Sequence, residues 1–86
     1  MNEPIHEKVS VELIYDRTKG TVFPRRIRWQ GRLYTMQKLG YYHKRKEGRN
    51  LLHIFDVSDG TMAFRLQCNP ETLHWILEEV SDGNAD

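Results

Sequence analysis

Apolar and polar residues alternate along most of this chain, and the alternation predicts strands. Val9, Val11, Leu13 and Tyr15 are separated by Ser10, Glu12 and Asp16, with Ile14 the single break. A period of two marks a strand with one buried face. Thr18, Lys19 and Gly20 then form a turn. The next strand runs from about Val22 to Trp29, with Pro24 near its start or on an edge because proline donates no ladder hydrogen bond. A two-residue turn at Gln30-Gly31 sets Trp29 opposite Arg32, Ile27 opposite Tyr34 and Arg25 opposite Met36. Trp29, Ile27, Tyr34 and Met36 then share a core face, and Arg26, Arg28, Leu33, Thr35 and Gln37 share a basic outer face. The third strand continues past Leu39 toward Tyr42, with Gly40 placed for a bulge.

Lys44 to Asn50 is almost wholly polar and reads as a protruding turn, with Gly48 available for a positive φ. Leu51–Val57 is the fourth strand and Thr61–Cys68 the fifth, joined at Asp59-Gly60. A two-residue turn there pairs Val57 with Met62, Phe55 with Phe64, His53 with Leu66 and Leu51 with Cys68.

Beyond Cys68 the spacing changes. Asn69 suits an N-cap, Pro70 the first helical position and Glu71 the first turn. Leu73, Ile76, Leu77 and Val80 fall at i, i+3, i+4 and i+7, the stripe of an amphipathic helix. The expected fold class is therefore mainly β (α+β): a five-stranded antiparallel sheet or small barrel with one C-terminal amphipathic helix. The expected organisation is a loose lead-in over 1–8, one domain over 9–80, and a flexible tail over 81–86.

Charge sharpens this picture. Residues 1–16 carry net −3, residues 17–53 net +10 and residues 54–86 net −6, so the overall +1 hides a basic middle between acidic ends. Such a middle attracts a polyanion if its charge is not met within the molecule. The only cysteine is Cys68, so no internal disulfide forms, and the lone thiol suits a reducing compartment. Residues 1–8 lack the basic-then-apolar order of a signal peptide, and no segment has the roughly 20 apolar residues that span a bilayer. The expected location is cytoplasmic, with no membrane partner.

Candidate chemistry is sparse. Phosphate-loop, dinucleotide, metalloprotease and nucleophile-elbow motifs are absent, so no catalytic residue, cofactor or metal is expected. His6, His43, His53 and His74 form no ligand spacing; His53 reads as a structural histidine at the core margin, and Cys68 as a small buried hydrophobe. The basic cluster is the remaining candidate. Arg26, Arg28, Arg32, Lys44, Arg45, Lys46 and Arg49 could hold phosphates, and Tyr41 or Tyr42 could stack on bases. The competing reading has the same cations pairing with Glu71, Glu78 and Glu79.

The run Pro24-Arg25-Arg26-Ile27-Arg28-Trp29-Gln30-Gly31-Arg32-Leu33-Tyr34 resembles a small bacterial domain family of unknown function with a Pro-Arg-Arg-x-x-Trp-x-Gly-Arg-x-Tyr signature. Relatives of that domain occur alone or appended to proteins related to Y-family DNA polymerases. The resemblance covers about a dozen residues, extends loosely to Phe64-Arg65-Leu66 and Trp75, and implies a DNA-repair neighbourhood without supplying a catalytic residue. Two readings follow: a non-catalytic module that binds single-stranded or duplex nucleic acid through the basic hairpin face, or a protein-interaction or self-associating module that uses a sheet edge and polarised charge.

Overall fold

The structure is a computed structural model that describes residues 3–82. Eight strands follow one another: β1 (Glu3–Lys8), β2 (Ser10–Asp16), β3 (Thr21–Trp29), β4 (Arg32–Thr35), β5 (Lys38–Glu47), β6 (Asn50–Ser58), β7 (Ala63–Asn69) and β8 (His74–Ser81). They form a five-stranded sheet in the order β1-β8-β7-β6-β5 and a three-stranded sheet in the order β2-β3-β4, antiparallel throughout.

Two bends join the sheets. β1 turns into β2 at Val9, whose amide donates to the Trp75 carbonyl at 3.1 Å. β4 turns into β5 at Met36-Gln37, whose amides donate to the carbonyls of Arg25 and Ser58 at 2.7 and 2.8 Å. The eight strands are thus six passes of chain, each beside the next, with the last (β8) paired to the first (β1). This is a small up-and-down barrel flattened into two layers, which largely removes the edge problem of a short sheet. The lead-in expected to be loose is instead β1 over residues 3–8. Of the expected tail, Ser81 ends β8, while residues 83–86 lie outside the described residues, as do residues 1–2.

No C-terminal helix forms, and there is no helix among the described residues, hence none long and apolar enough to cross a membrane. The capping chemistry read from the sequence is present but stops after one turn. Asn69 Oδ1 accepts from the Glu71 amide at 2.9 Å, and the Asn69 carbonyl accepts from the Leu73 amide at 2.7 Å. Leu73 then adopts φ +64° and reverses the chain into β8. The helical spacing has a different origin. Leu66 pairs with Leu77 and Arg65 with Glu79, leaving Glu78 as an extra residue in a β-bulge. Trp75 and Leu77 alternate normally, and the bulge lets Val80 face inward as well, three residues after Leu77.

The inner face of the five-stranded sheet consists of cross-strand rows. Val57, Phe64 and Val80 form one row, and Tyr42, Phe55, Leu66 and Leu77 the next. Lys44, His53, Cys68 and Trp75 form the third. Ile27, Trp29 and Met36 descend from the three-stranded side onto the first two rows, and Phe55, Val57, Phe64, Leu66, Leu77 and Val80 complete the core. Trp29 also ties the layers together, its indole N–H donating to Glu7 Oε1 at 3.0 Å. The Trp29/Arg32 and Ile27/Tyr34 pairings match the sequence reading, and Gly40 is the extra residue of the bulge between Leu39 and Tyr41.

The β6–β7 register differs from the expected one by two residues. Val57 faces Phe64, Phe55 faces Leu66 and His53 faces Cys68. Asp59 explains the longer loop: its Oδ1 accepts from the amides of Thr61 and Met62 at 2.9 and 2.8 Å, while Ser58 Oγ accepts from Gly60. These side-chain bonds stabilise a wider turn than Asp-Gly alone suggests. A shift of two residues preserves the faces, so the inward set is unchanged.

Candidate binding cleft

The third inner row lies beyond the part of the sheet that β3 and β4 cover. Above it, the β2–β3 hairpin lifts away and leaves a cleft of about 330 Å³. Tyr42, His53, Phe55, Cys68 and Trp75 form the side belonging to the larger sheet. Leu39 of β5, paired with Val57, extends this side, and Leu13, Thr21 and Val22 of the β2–β3 hairpin form the other wall, with Gly20 at its lip. The lining is predominantly apolar. Leu13 remains 45% exposed, so the distal half of β2, expected to be buried on one face, overhangs the cleft instead.

Aromatic rings run continuously along the cleft. Tyr42 and Phe55 have centroids 4.9 Å apart and Phe55 and Trp75 5.5 Å apart, both pairs tilted. Tyr42 and His53 are nearly parallel, with centroids at 5.8 Å, and the phenol oxygen lies 2.5 Å from His53 Nδ1. This bond fixes both polar tips at the mouth. Burial pushes the Tyr42 phenol up in pKa, with Cys68 adding to the effect. Burial likewise pushes the Cys68 thiol up, so the sulfur stays protonated at neutral pH and makes a poor nucleophile. Among the described residues no group of three or more His, Cys, Asp or Glu side chains could hold a metal ion.

The sequence-derived basic candidates separate into four groups. Lys44 and Lys46 lie on the cleft side of β5, because Lys44 opposes His53 and Lys46 opposes Leu51, and opposed side chains share a face. Arg49 follows in the β5–β6 turn. All three are exposed, and among the described residues none ion-pairs with a carboxylate. Arg26 and Arg28 sit on the outer face of the three-stranded sheet, with Arg26 Nε 3.1 Å from Glu12. Arg32, at the β3–β4 turn, holds its guanidinium 5.5 Å from the Tyr34 ring centroid.

Arg45 belongs to the opposite face of the large sheet and is already matched. It pairs with Glu78 through both terminal nitrogens and approaches Glu47 at 3.3 Å. Glu78 also accepts from Gln67 Nε2 at 2.6 Å. Burial alone would raise the Glu78 carboxyl, but hydrogen bonds from Arg45 and Gln67, aided by the charges of Arg45 and Arg65, hold it below its usual range. Arg65 likewise pairs with Asp56 and Glu79 on this face. Tyr41 stacks on His43 with centroids 4.9 Å apart, whereas Tyr42 faces the cleft, so adjacent tyrosines occupy opposite surfaces.

Sequence reasoning thus reached Tyr42, Lys44 and Lys46 but not their neighbours in the cleft. The sequence pattern places Trp75 in a helix and Lys44 onward in a turn, whereas both lie on strands. A strand of alternating Lys, Arg, Lys and Glu carries no apolar period to reveal it. The available signal was Gly48, whose φ of +60° lets a two-residue turn set Glu47 opposite Asn50 and extend both strands. Comparison with protein-family models, curated proteins and solved structures returns no match.

Proposed function

We propose that this chain is a non-catalytic binding module that takes a strand of nucleic acid along the cleft side of the β5–β6 hairpin. The observation that carries this reading is the row Lys44–His53–Cys68–Trp75 with Lys46 and Arg49 beyond it. It sets cations that have no carboxylate partner among the described residues beside an open aromatic surface. Ammonium and guanidinium groups contact phosphates, and aromatic faces receive bases without demanding a sequence. The reading is narrower than a general basic face: Arg45 is excluded because Glu78 and Glu47 already hold it. The absence of catalysis is supported by the protonated Cys68 thiol and by a His53 whose Nδ1 is engaged by a phenol rather than a carboxylate.

The test is fluorescence anisotropy of a labelled single-stranded DNA at low and at moderate salt. Binding should weaken as salt rises, with a log–log slope reduced by about 0.7 for each phosphate contact removed. Lys44→Gln with Lys46→Gln should lower affinity and flatten the slope, whereas Arg26→Gln with Arg28→Gln should do neither. No binding at low salt, or equal losses from both pairs, overturns the proposal.

A second reading has its own observation. β5 is a ten-residue edge strand that carries the cations Lys38, Lys44 and Lys46, and β2, the edge of the other sheet, carries Glu12 and Asp16. A β2 edge of one copy has the charge to meet a β5 edge of another. Sedimentation at two concentrations separates the readings: a monomer at both removes this one.

A further inference from the structure

We infer that the cleft receives one unstacked nucleobase, which makes the preferred ligand single-stranded rather than duplex; this rests on the nucleic-acid reading above and specifies it. The space suits that occupant. A volume of about 330 Å³ lies at the small end of ligand pockets and accommodates a single heteroaromatic ring system rather than an extended cofactor. Tyr42, Phe55 and Trp75 supply adjoining ring surfaces, Leu39 extends the same side along β5, and Val22 and Leu13 supply an aliphatic wall opposite them.

The polar groups are few and placed at the margin. The Tyr42 hydroxyl bonded to His53, the Cys68 thiol and the Thr21 hydroxyl can meet the edge of a base, while the remaining walls meet its faces. Charge fixes the polarity of the occupant. Lys44 stands in the same cross-strand row as His53, and Lys46 lies two residues further along the same face. Lys19 lies in the turn that forms the opposite lip, next to Gly20. The one carboxylate in that turn, Asp16, already accepts from the amides of Thr18 and Lys19 at 2.9 and 3.2 Å. An apolar slot with cations on both sides fits a flat ring flanked by phosphates. It does not fit a neutral lipid or an acidic peptide without aromatic character.

Single-strandedness follows from access. A base paired and stacked in a duplex presents only its groove edges, whereas the cleft contacts ring faces. Entry therefore requires a base that is free to turn out of its stack.

The experiment compares three labelled probes on the full chain: oligothymidylate, the same sugar–phosphate strand made wholly abasic, and a duplex of equal length. Oligothymidylate should bind at least roughly tenfold more tightly than the abasic strand. It should also quench Trp75 emission in a Trp29→Phe background, while the abasic strand should not. Leu39→Trp, which fills the cleft from a partly exposed position, should reduce oligothymidylate binding to the abasic level and leave abasic binding unchanged. Circular dichroism and thermal melting confirm that each variant folds. If no probe binds at low salt, the nucleic-acid reading itself fails. If oligothymidylate, the abasic strand and the duplex bind alike, or Leu39→Trp has no effect on any, the strand is held by charge alone and the base pocket is overturned. Thymidine monophosphate saturating the cleft as tightly as the oligonucleotide would also overturn it, in favour of a small-molecule site.

Discussion

Leu66 and Cys68 lie two residues apart on β7, face the same way, and meet opposite surroundings. Leu66 is fully buried beneath the three-stranded sheet, in the core that Ile27, Trp29 and Met36 close from above. Cys68 is only half-buried, in a row that ends in the Lys44 position and opens toward solvent. The same inner face thus becomes core at one end and an open cleft at the other. What differs is the cover. β3 and β4 lie against the first two rows, while the β2–β3 hairpin stands off from the third and leaves Leu13, Ile14 and Tyr15 more than 40% exposed. Stability is concentrated where the layers touch, and the fold does not depend on closing the cleft.

The sharpest way to break this comparison is truncation at both positions. Leu66→Ala removes a fully enclosed side chain and should cost about 2–5 kcal/mol, the range for buried leucines that leave a cavity. Cys68→Ala removes a sulfur beside an existing void and should cost less than about 1 kcal/mol. Urea denaturation monitored by circular dichroism measures both. Similar losses would mean that the cleft end is as closely packed as the core.

Next in size is Glu78→Gln. Glu78 is the bulge residue that allows both Leu77 and Val80 to face the core, and Arg45 and Gln67 hold it from the outer side. Losing the charge-assisted bond should cost about 1–2 kcal/mol near neutral pH. The pH dependence has a definite sign. A carboxyl held below its usual range in the fold contributes stability above the range of the unfolded chain, and that stability is lost as pH falls through the depressed value. The gap between parent and variant should therefore close on acidification. A gap constant with pH would show that the ion pair does not pin the bulge.

The same two ends differ in how much of them the sequence disclosed. The core was legible because Ile27, Trp29, Tyr34 and Met36 follow an apolar alternation with a Gly31 turn that sets register. β8 was not. One extra residue at Glu78 converts a spacing of two into a spacing of three, and Asn69 and Pro70 open a turn that both a helix and a reversal can begin with. The cleft was half legible: Tyr42, Lys44 and Lys46 stood out by residue type. Their setting depended on which strands stay uncovered, a property of the bends at Val9 and Met36-Gln37 that no local pattern encodes.

The smallest expected effect, and the most informative about the open end, belongs to Tyr42→Phe. The hydroxyl lies 2.5 Å from His53 Nδ1, yet Tyr42 is 39% exposed, so water can replace the lost partner. Stability should fall by only about 0.5 kcal/mol, the low end for a hydrogen bond. The phenylalanine ring still abuts Phe55, so the aromatic wall persists while the His53 ring loses its tether. Base stacking should survive and the polar margin should loosen, which separates the two roles of the residue. Oligothymidylate affinity reduced by less than about threefold, with His53 ring signals broadened or shifted in NMR, is the expected outcome. Loss of binding as complete as that caused by Leu39→Trp would mean that the hydroxyl edge, rather than the ring faces, holds the ligand.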